Sequence, residues 1–314
     1  MTGGQGEGER PDAADAPGGS GPPEAAERPG ATAGPAESGQ PDAAESTGDT
    51  TCHVVRPGAL AGMTALVTGA GTGIGRAVAL RLAALGALVV GVGRTAATLE
   101  NTGELAAATA PAGRFLARPV NVRDRAQAAE LVASVGREHG LQLLVNNAGG
   151  QFVAPARQLS RRGWNSVIDL NLTAIATLTT AALPWLAQRG GSVATISLSA
   201  PENGIPNLSH SAAARSATLG MTRELAGRWW PDGVRLNCIA PGTVLTEGVR
   251  HELPPDVLAD VLARTPLGRD TRPAEVAELV AFLATPAGAQ LTGQLLTLDG
   301  GATLTGATRA LSGG

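Results

Sequence analysis

Thr68-Gly69-Ala70-Gly71-Thr72-Gly73-Ile74-Gly75 decides the fold. The stretch stands directly after the apolar run Ala65-Leu66-Val67 and opens a helical pattern that continues from Ile74 to about Leu85. A glycine-rich run alone marks a turn. Between a strand and a helix, its glycines permit a tight bend and let the backbone approach a diphosphate. They also leave the helix N-terminus facing negative charge. The stretch therefore predicts a dinucleotide site cradled by Gly69, Thr72, Gly73, Ile74 and Gly75.

Working outward, short apolar runs alternate with longer helical patterns. Strands are predicted at 65–67, 88–90, 115–120, 143–145, 193–196, 234–239 and 295–298. Helices are predicted at 74–85, 99–108, 125–137, 160–187 and 208–230. The strand runs are apolar on both sides, as strands covered on both faces must be. Regular alternation of this kind gives an α/β fold: one Rossmann-type doubly wound parallel sheet of about seven strands with helices on both faces.

The second strand ends Val92-Gly93-Arg94, where the adenosine ribose of a dinucleotide lies. An acid there would bind a free 2′-hydroxyl and repel a 2′-phosphate, and Arg94 reverses both preferences. NADPH is the expected cofactor, with NADH as the alternative. Asn121, after the third strand, is placed to contact the adenine edge.

The 314-residue chain divides by composition. Residues 1–53 form a Gly/Pro/Ala-rich acidic tail expected to be disordered; positions 1–50 hold ten acids and two arginines, a net charge of −8. Residues 54–302 are expected to form a single Rossmann-type domain, and 303–314 a C-terminal tail. Roughly 250 residues suffice for one large buried core. With the whole chain at −3, the body carries −3 − (−8) = +5, mild and scattered, which does not suggest nucleic acid. No apolar segment is expected to reach the ~20 residues that span a bilayer. Cys52 and Cys238 make no disulfide framework, and a reduced cytoplasmic compartment is expected. No metal site is expected. The chain contains neither tyrosine nor lysine; all 24 of its basic Lys+Arg residues are arginines.

The motifs then resemble the short-chain dehydrogenase/reductase family over about residues 55–302. Residues 68–75 match its TGxxxGIG form. Asn146-Asn147-Ala148-Gly149 follows the fourth strand as its NNAG, and Asn171 sits in Asp169-Leu170-Asn171-Leu172. Asn237-Cys238-Ile239-Ala240-Pro241-Gly242 is similar to its N-x-x-x-PG turn. Pro266-Leu267-Gly268-Arg269 and Leu298-Asp299-Gly300-Gly301 match its C-terminal landmarks. The resemblance implies cofactor contacts from Asn147, Ala148, Gly149, Arg215, Pro241, Gly242 and Thr243, and assembly through the two long helices into a dimer or tetramer.

The chain departs from the family at the chemistry. Aligned on Leu219-Gly220-Met221-Thr222, the family's Tyr-x-x-x-Lys becomes Ser211 and Arg215, and its serine becomes Leu198 between Ser197 and Ser199. His210-Ser211-Ala212-Ala213-Ala214-Arg215 resembles an atypical branch, the peroxisomal trans-2-enoyl-CoA reductases and 2,4-dienoyl-CoA reductases. Asn146 to Phe152 resembles that branch's NNxGGQF, Gly163-Trp164 follows at a similar distance, and Asn121-Val122-Arg123 agrees. The implied activity is NADPH-dependent reduction of the C=C bond of an acyl thioester. Chains of this pattern also include terpenoid alcohol dehydrogenases.

Reduction of a ketone puts charge on one oxygen, and loss of a positioned acid forfeits about 10²–10⁴ in rate. Hydride addition to a conjugated acceptor spreads the charge as an enolate, which hydrogen-bond donors can hold. Ser211 and Asn171, with backbone amides or a bound water, are the expected oxyanion donors; the alternative for Asn171 is that it satisfies a break in the helix backbone. Arg215, four residues from Ser211, shares its helix face and supplies charge without acting as a base. His210 is expected to be a partly exposed polar residue, with a proton donor as the alternative, and Ser197 and Ser199 strand-end hydrogen-bonders rather than catalysts, Ser199 on the substrate side. Gln151 and Phe152 should line the substrate mouth. Arg157, Arg161 and Arg162 are expected at a solvated helix start, and 243–271 as the substrate lid. An alcohol dehydrogenase or ketoreductase with a rebuilt acid and a non-catalytic NADPH-binding protein are the alternatives.

Overall fold

The structure, a computed structural model, describes residues 55–110, 114–199, 206–246 and 255–305. The expected tail over 1–53, with Cys52, and the last residues of the expected C-terminal tail lie outside the described residues. Residues 302–305 of the closing segment form one helical turn.

Seven strands carry the fold: β1 (Thr64–Thr68), β2 (Leu88–Gly93), β3 (Arg114–Pro119), β4 (Leu143–Asn146), β5 (Ser192–Ile196), β6 (Arg235–Pro241) and β7 (Leu295–Leu298). The helices are α1 (Gly73–Ala84), α2 (Ala96–Thr109), α3 (Arg125–His139), α4 (Arg161–Ile168), α5 (Ala174–Leu186), α6 (Ser209–Trp229), α7 (Pro255–Arg264), α8 (Pro273–Ala284) and the short α9 (Ala302–Thr305). All strand pairs are parallel, in the order β3-β2-β1-β4-β5-β6-β7. The order reverses between β1 and β4, and a doubly wound sheet opens its ligand crevice at the carboxyl ends of such a pair. The doubly wound parallel sheet read from the sequence is the fold observed.

One face of the sheet packs on α1, α2 and α8 through Val78, Leu82, Leu99, Val276 and Val280. The other packs on α3, α5 and α6 through Leu131, Val135, Leu178, Leu186 and Ala226. β1 is buried along its whole length, which is why its sequence is apolar without alternation. Helix starts follow local chemistry. The Asp124 carboxylate accepts from the Gln127 amide at 3.0 Å to begin α3, and Ser160 Oγ accepts from the Gly163 amide at 3.0 Å to begin α4.

The sequence predicts one unbroken helix over 160–187. The structure interrupts it with a π-turn at Asp169–Thr173 between α4 and α5. Helical periodicity does not show the extra residue, which is stabilised by tertiary bonds described below. The expectation that no segment reaches bilayer length is also corrected: by length and composition alone, the run Arg161–Leu186 is long and apolar enough to cross a membrane. Ala174, Ile175, Leu178, Ala182 and Leu186 of that run are buried inside the domain.

Candidate active site

The glycine turn closes on β4 from below. Gly69 and Gly73 have φ of +67° and +52°, a region that L side chains rarely adopt. A Cβ on Gly69 would stand 2.7 Å from Asn147 Nδ2, and one on Gly75 would run into the Gly69 carbonyl. Thr68 Oγ1 accepts from the amides of Asn147 and Ala148, both at 2.9 Å, and donates to the Val145 carbonyl. Asn147 Nδ2 donates to the Thr68 carbonyl at 2.9 Å. The ends of β1 and β4 are thus locked together, and no side chain caps the start of α1 at Thr72. Glycines that a Cβ would block and a helix N-terminus without a capping side chain fit a dinucleotide diphosphate.

The rest of the expected cofactor set surrounds this cradle. The Gly242 amide donates to the Leu298 carbonyl at 3.0 Å, and the Thr243 carbonyl accepts from the Thr271 amide at 2.9 Å. Pro241 ends β6 beside them. The segment then returns over α1, since a Cβ on Gly73 would stand 3.0 Å from Thr246 Cγ2. Arg94 is exposed after β2. Asn121 is exposed, and its Oδ1 accepts from the Arg123 amide at 3.2 Å. Arg76, which sequence reasoning missed, folds its guanidinium back onto the Gly71 carbonyl.

Ser211 and Arg215 share the α6 face expected from their spacing. Ser211 is fully buried. Its hydroxyl donates to Gln151 Oε1 at 2.5 Å and accepts from Arg215 Nε at 3.4 Å. Arg215 Nη1 donates to the Ile196 carbonyl at 3.0 Å, at the end of β5. Among the described residues, no carboxylate pairs with it. Burial pushes its pKa down to about 10, opposed by the negative charge that a Cys238 thiolate would carry, so it remains a cation at neutral pH. Burial pushes the Cys238 thiol up, and Thr222 Oγ1 lies 3.3 Å from its sulfur.

Asn171 corrects an expectation. It sits in the π-turn, buried, and its Nδ2 donates to the Gly150 carbonyl at 2.8 Å and to the Val167 carbonyl at 2.9 Å. Its Oδ1 accepts from the Gly150 amide at 3.3 Å. An amide has two N–H donors, and both are used, so Asn171 offers none to an oxyanion. It repairs the broken helix ladder and holds the Gly149-Gly150-Gln151 loop against it. The loop's closeness explains Gly149, where a Cβ would stand 2.9 Å from Asn171 Oδ1 and 3.2 Å from Arg215 Nη2.

The loop after β4 runs along the start of α6. Gln151 meets Ser211, the Ala154 amide donates to the Asn207 carbonyl at 2.9 Å, and the Phe152 ring stands edge-on to His210 with centroids 4.6 Å apart. Phe152 is 44% exposed and Val153 59%, an apolar rim at the expected mouth. His210 is not partly exposed as expected; it is fully buried, and among the described residues neither ring nitrogen makes a well-aligned hydrogen bond. Burial pushes its pKa down, and the nearby backbone of Leu208 and Phe152 opposes this more weakly. Ser197 also departs from expectation: its buried Oγ bonds nothing. Ser199 is buried, and Leu198 beside it is half-buried. Arg161 and Arg162 line a shallow groove of about 550 Å³ with Arg123, Asn165, Ser166 and Asp169. Of the expected lid, 247–254 lies outside the described residues, and α7 follows it.

Comparison with known proteins agrees with this geometry. Residues 69–303 match the family model described as enoyl-(acyl carrier protein) reductase. The chain is 34% identical over 248 residues to a 3-oxoacyl-(acyl-carrier-protein) reductase of Thermotoga maritima, covering 77% of this chain and 98% of that protein. It is 32% identical over 242 residues to a Bacillus subtilis protein named as a 2,4-dienoyl-CoA reductase, covering 75% and 94%. A Beutenbergia cavernae structure, described as an NAD(P)-dependent gluconate 5-dehydrogenase with bound NADP, superposes with a TM-score of 0.75 at 35% identity, covering 79% of this chain and 100% of that one. With its glycine turn, its strand order and these relatives, the chain belongs to the short-chain dehydrogenase/reductase family of oxidoreductases.

Proposed function

We propose that this enzyme reduces the C=C bond of a 2-enoyl thioester with NADPH. One observation carries the reading: at the positions of the family's tyrosine and lysine, the site holds a serine whose hydroxyl donates its hydrogen bond to Gln151 and an arginine cation that cannot act as a base. Such a site is rich in positive charge and poor in acid.

The bound nicotinamide supplies the hydride. Gly69, Thr72, Gly73, Ile74 and Gly75 would hold its diphosphate, and Arg94 would favour the 2′-phosphate of NADPH. Arg215 keeps a positive field beside the acceptor, and Ser211 with Gln151 fixes the wall of the pocket. A lone alkoxide would need a proton at once, and without a positioned acid that costs about 10²–10⁴ in rate. An enolate spreads its charge, and oxyanion donors worth about 10²–10³ suffice to hold it. The branch resemblance in residues 146–152 and 210–215 and the dienoyl-CoA reductase relative support the same acceptor. The enzyme works as a dimer or tetramer in the cytoplasm on a small acyl thioester.

The test is NADPH consumption with crotonyl-CoA beside a panel of ketones and, with NADP⁺, alcohols. Turnover of crotonyl-CoA well above every ketone is the expected result. Rapid ketone turnover with crotonyl-CoA ignored would sink the reading. Tight NADPH binding without turnover of either class would instead make the chain a binding protein.

A further inference from the structure

We propose that His210 is the residue that binds the carbonyl oxygen of the acyl acceptor, through a neutral imidazole N–H that the Phe152 ring uncovers by turning aside. This rests on the reading of the site as one that takes an acyl thioester.

The argument begins with the donors. Both N–H groups of the Asn171 amide are used within the fold, and the Ser211 hydroxyl is committed to Gln151. Arg215 spends Nε on Ser211 and Nη1 on the Ile196 carbonyl. Arg215 Nη2 and the Ser197 hydroxyl remain free among the described residues, and His210 is set apart by its ring contact with Phe152 at the mouth. His210 is completely buried, one residue from Ser211, and among the described residues neither ring nitrogen makes a well-aligned hydrogen bond, with only the Leu208 and Phe152 backbone within reach. Folded proteins rarely leave two such atoms unpaired, and an unmet polar group in a native site calls for a ligand atom or a bound group.

The cover over His210 is built to move. The backbone of the β4 loop is tied down on both sides of Phe152, by Gln151 to Ser211 and by the Ala154 amide to the Asn207 carbonyl. Phe152 itself is 44% exposed. It leans over Gly163, where even a Cβ would stand only 3.0 Å from its Cζ. A ring on a fixed backbone can rotate without disturbing the loop. Burial holds the imidazole neutral, and a neutral imidazole still carries one N–H.

The experiment uses the full chain with NADPH and crotonyl-CoA. A donor to the developing enolate acts chiefly on kcat. For His210→Phe, kcat should fall about 10²-fold while KM and NADPH affinity, read by nicotinamide fluorescence, stay within about threefold. His210→Gln, which keeps an N–H, should recover most of that loss. Wild-type kcat retained in His210→Phe would overturn the proposal. So would a loss that tracks NADPH affinity, or one that the glutamine does not mend. A measurement without variants stands beside these: in protein labelled with ¹⁵N-histidine, butanoyl-CoA added with NADP⁺ should move one imidazole resonance, and none moving would overturn it. A wild type that reduces ketones and not crotonyl-CoA would instead sink the enoyl reading, and the histidine resonance would still test His210 alone.

Discussion

At the scale of residues, arginine replaces lysine usefully only where charge, and not proton transfer, is wanted. Arg215 bonds the Ile196 carbonyl and Ser211 with different arms of its fork, and a single ammonium cannot reproduce that geometry. Burial lowers its pKa from the ordinary arginine value to about 10, so the folded chain binds fewer protons than the unfolded chain between the two. Stability from this group therefore rises with pH over that window, and below it the cost of the buried cation is constant. On the proposed mechanism catalysis runs the other way, because the cation would be the working form. Wild-type kcat should hold to about pH 9 and fall as pH rises further. In Arg215→Lys the same burial acts on a group that starts at about 10.4, so its alkaline fall should begin at least about a unit lower. Superimposable alkaline limbs for the two proteins would contradict this role. The pair Ser211 and Arg215 came from the resemblance to the family's Tyr-x-x-x-Lys, and spacing four put the two on one helix face. The partner Gln151, sixty residues earlier, was legible as a motif residue but not as a hydrogen-bond acceptor. His210 read as partly exposed because the helical period says nothing of a loop that packs over the first turn.

Elements show the same division. Strands came through as apolar runs because both sheet faces are covered. The π-turn did not, because its stability lies in Asn171 bonds to Val167 and Gly150 and in Thr218 Oγ1 donating to the Asn171 carbonyl at 2.9 Å. α8 depends on a different local device. The Glu275 carboxylate accepts from the Arg272 amide at 2.8 Å and takes both arms of Arg269 at 2.7 and 3.0 Å. Its pKa is lowered from 4.5, first by the Arg269 hydrogen bonds, against a smaller opposing effect of burial. A carboxylate with a depressed folded pKa adds stability that is present above the unfolded value and lost as pH falls through the folded one. Glu275→Gln should therefore lower the melting midpoint at pH 7 by about 2–4 °C, the worth of about 1 kcal/mol in a domain of this size. Well below pH 4.5 the two proteins should converge. An undiminished gap in acid would show that the carboxylate charge is not what starts the helix.

For the whole molecule, the question is where the fold begins. Sequence composition put the boundary near residue 54. Val55 is buried, and its carbonyl accepts from Arg81 Nη2 at 3.0 Å. Arg81 in turn pairs with Glu278 at 2.5 Å, so this first residue is tied to α1 and, through it, to α8. Leu60 is buried in the same cluster. Everything before Val55 is acidic and poor in apolar side chains, with little to add to a core. A chain starting at residue 54 should keep the melting midpoint of the full chain and its NADPH turnover. At physiological salt, charges in the removed segment act over only about 8 Å, so the kinetics should not shift with the change in net charge from −3 to +5. A chain starting at residue 61 loses the burial of both Val55 and Leu60, worth about 3–6 kcal/mol together. Its midpoint should drop by roughly 6 °C or more. Differential scanning calorimetry of the three chains decides the matter. A large loss already in the chain starting at residue 54 would mean that the acidic segment contributes to the fold, and equal stability in all three would mean that neither Val55 nor Leu60 anchors its edge.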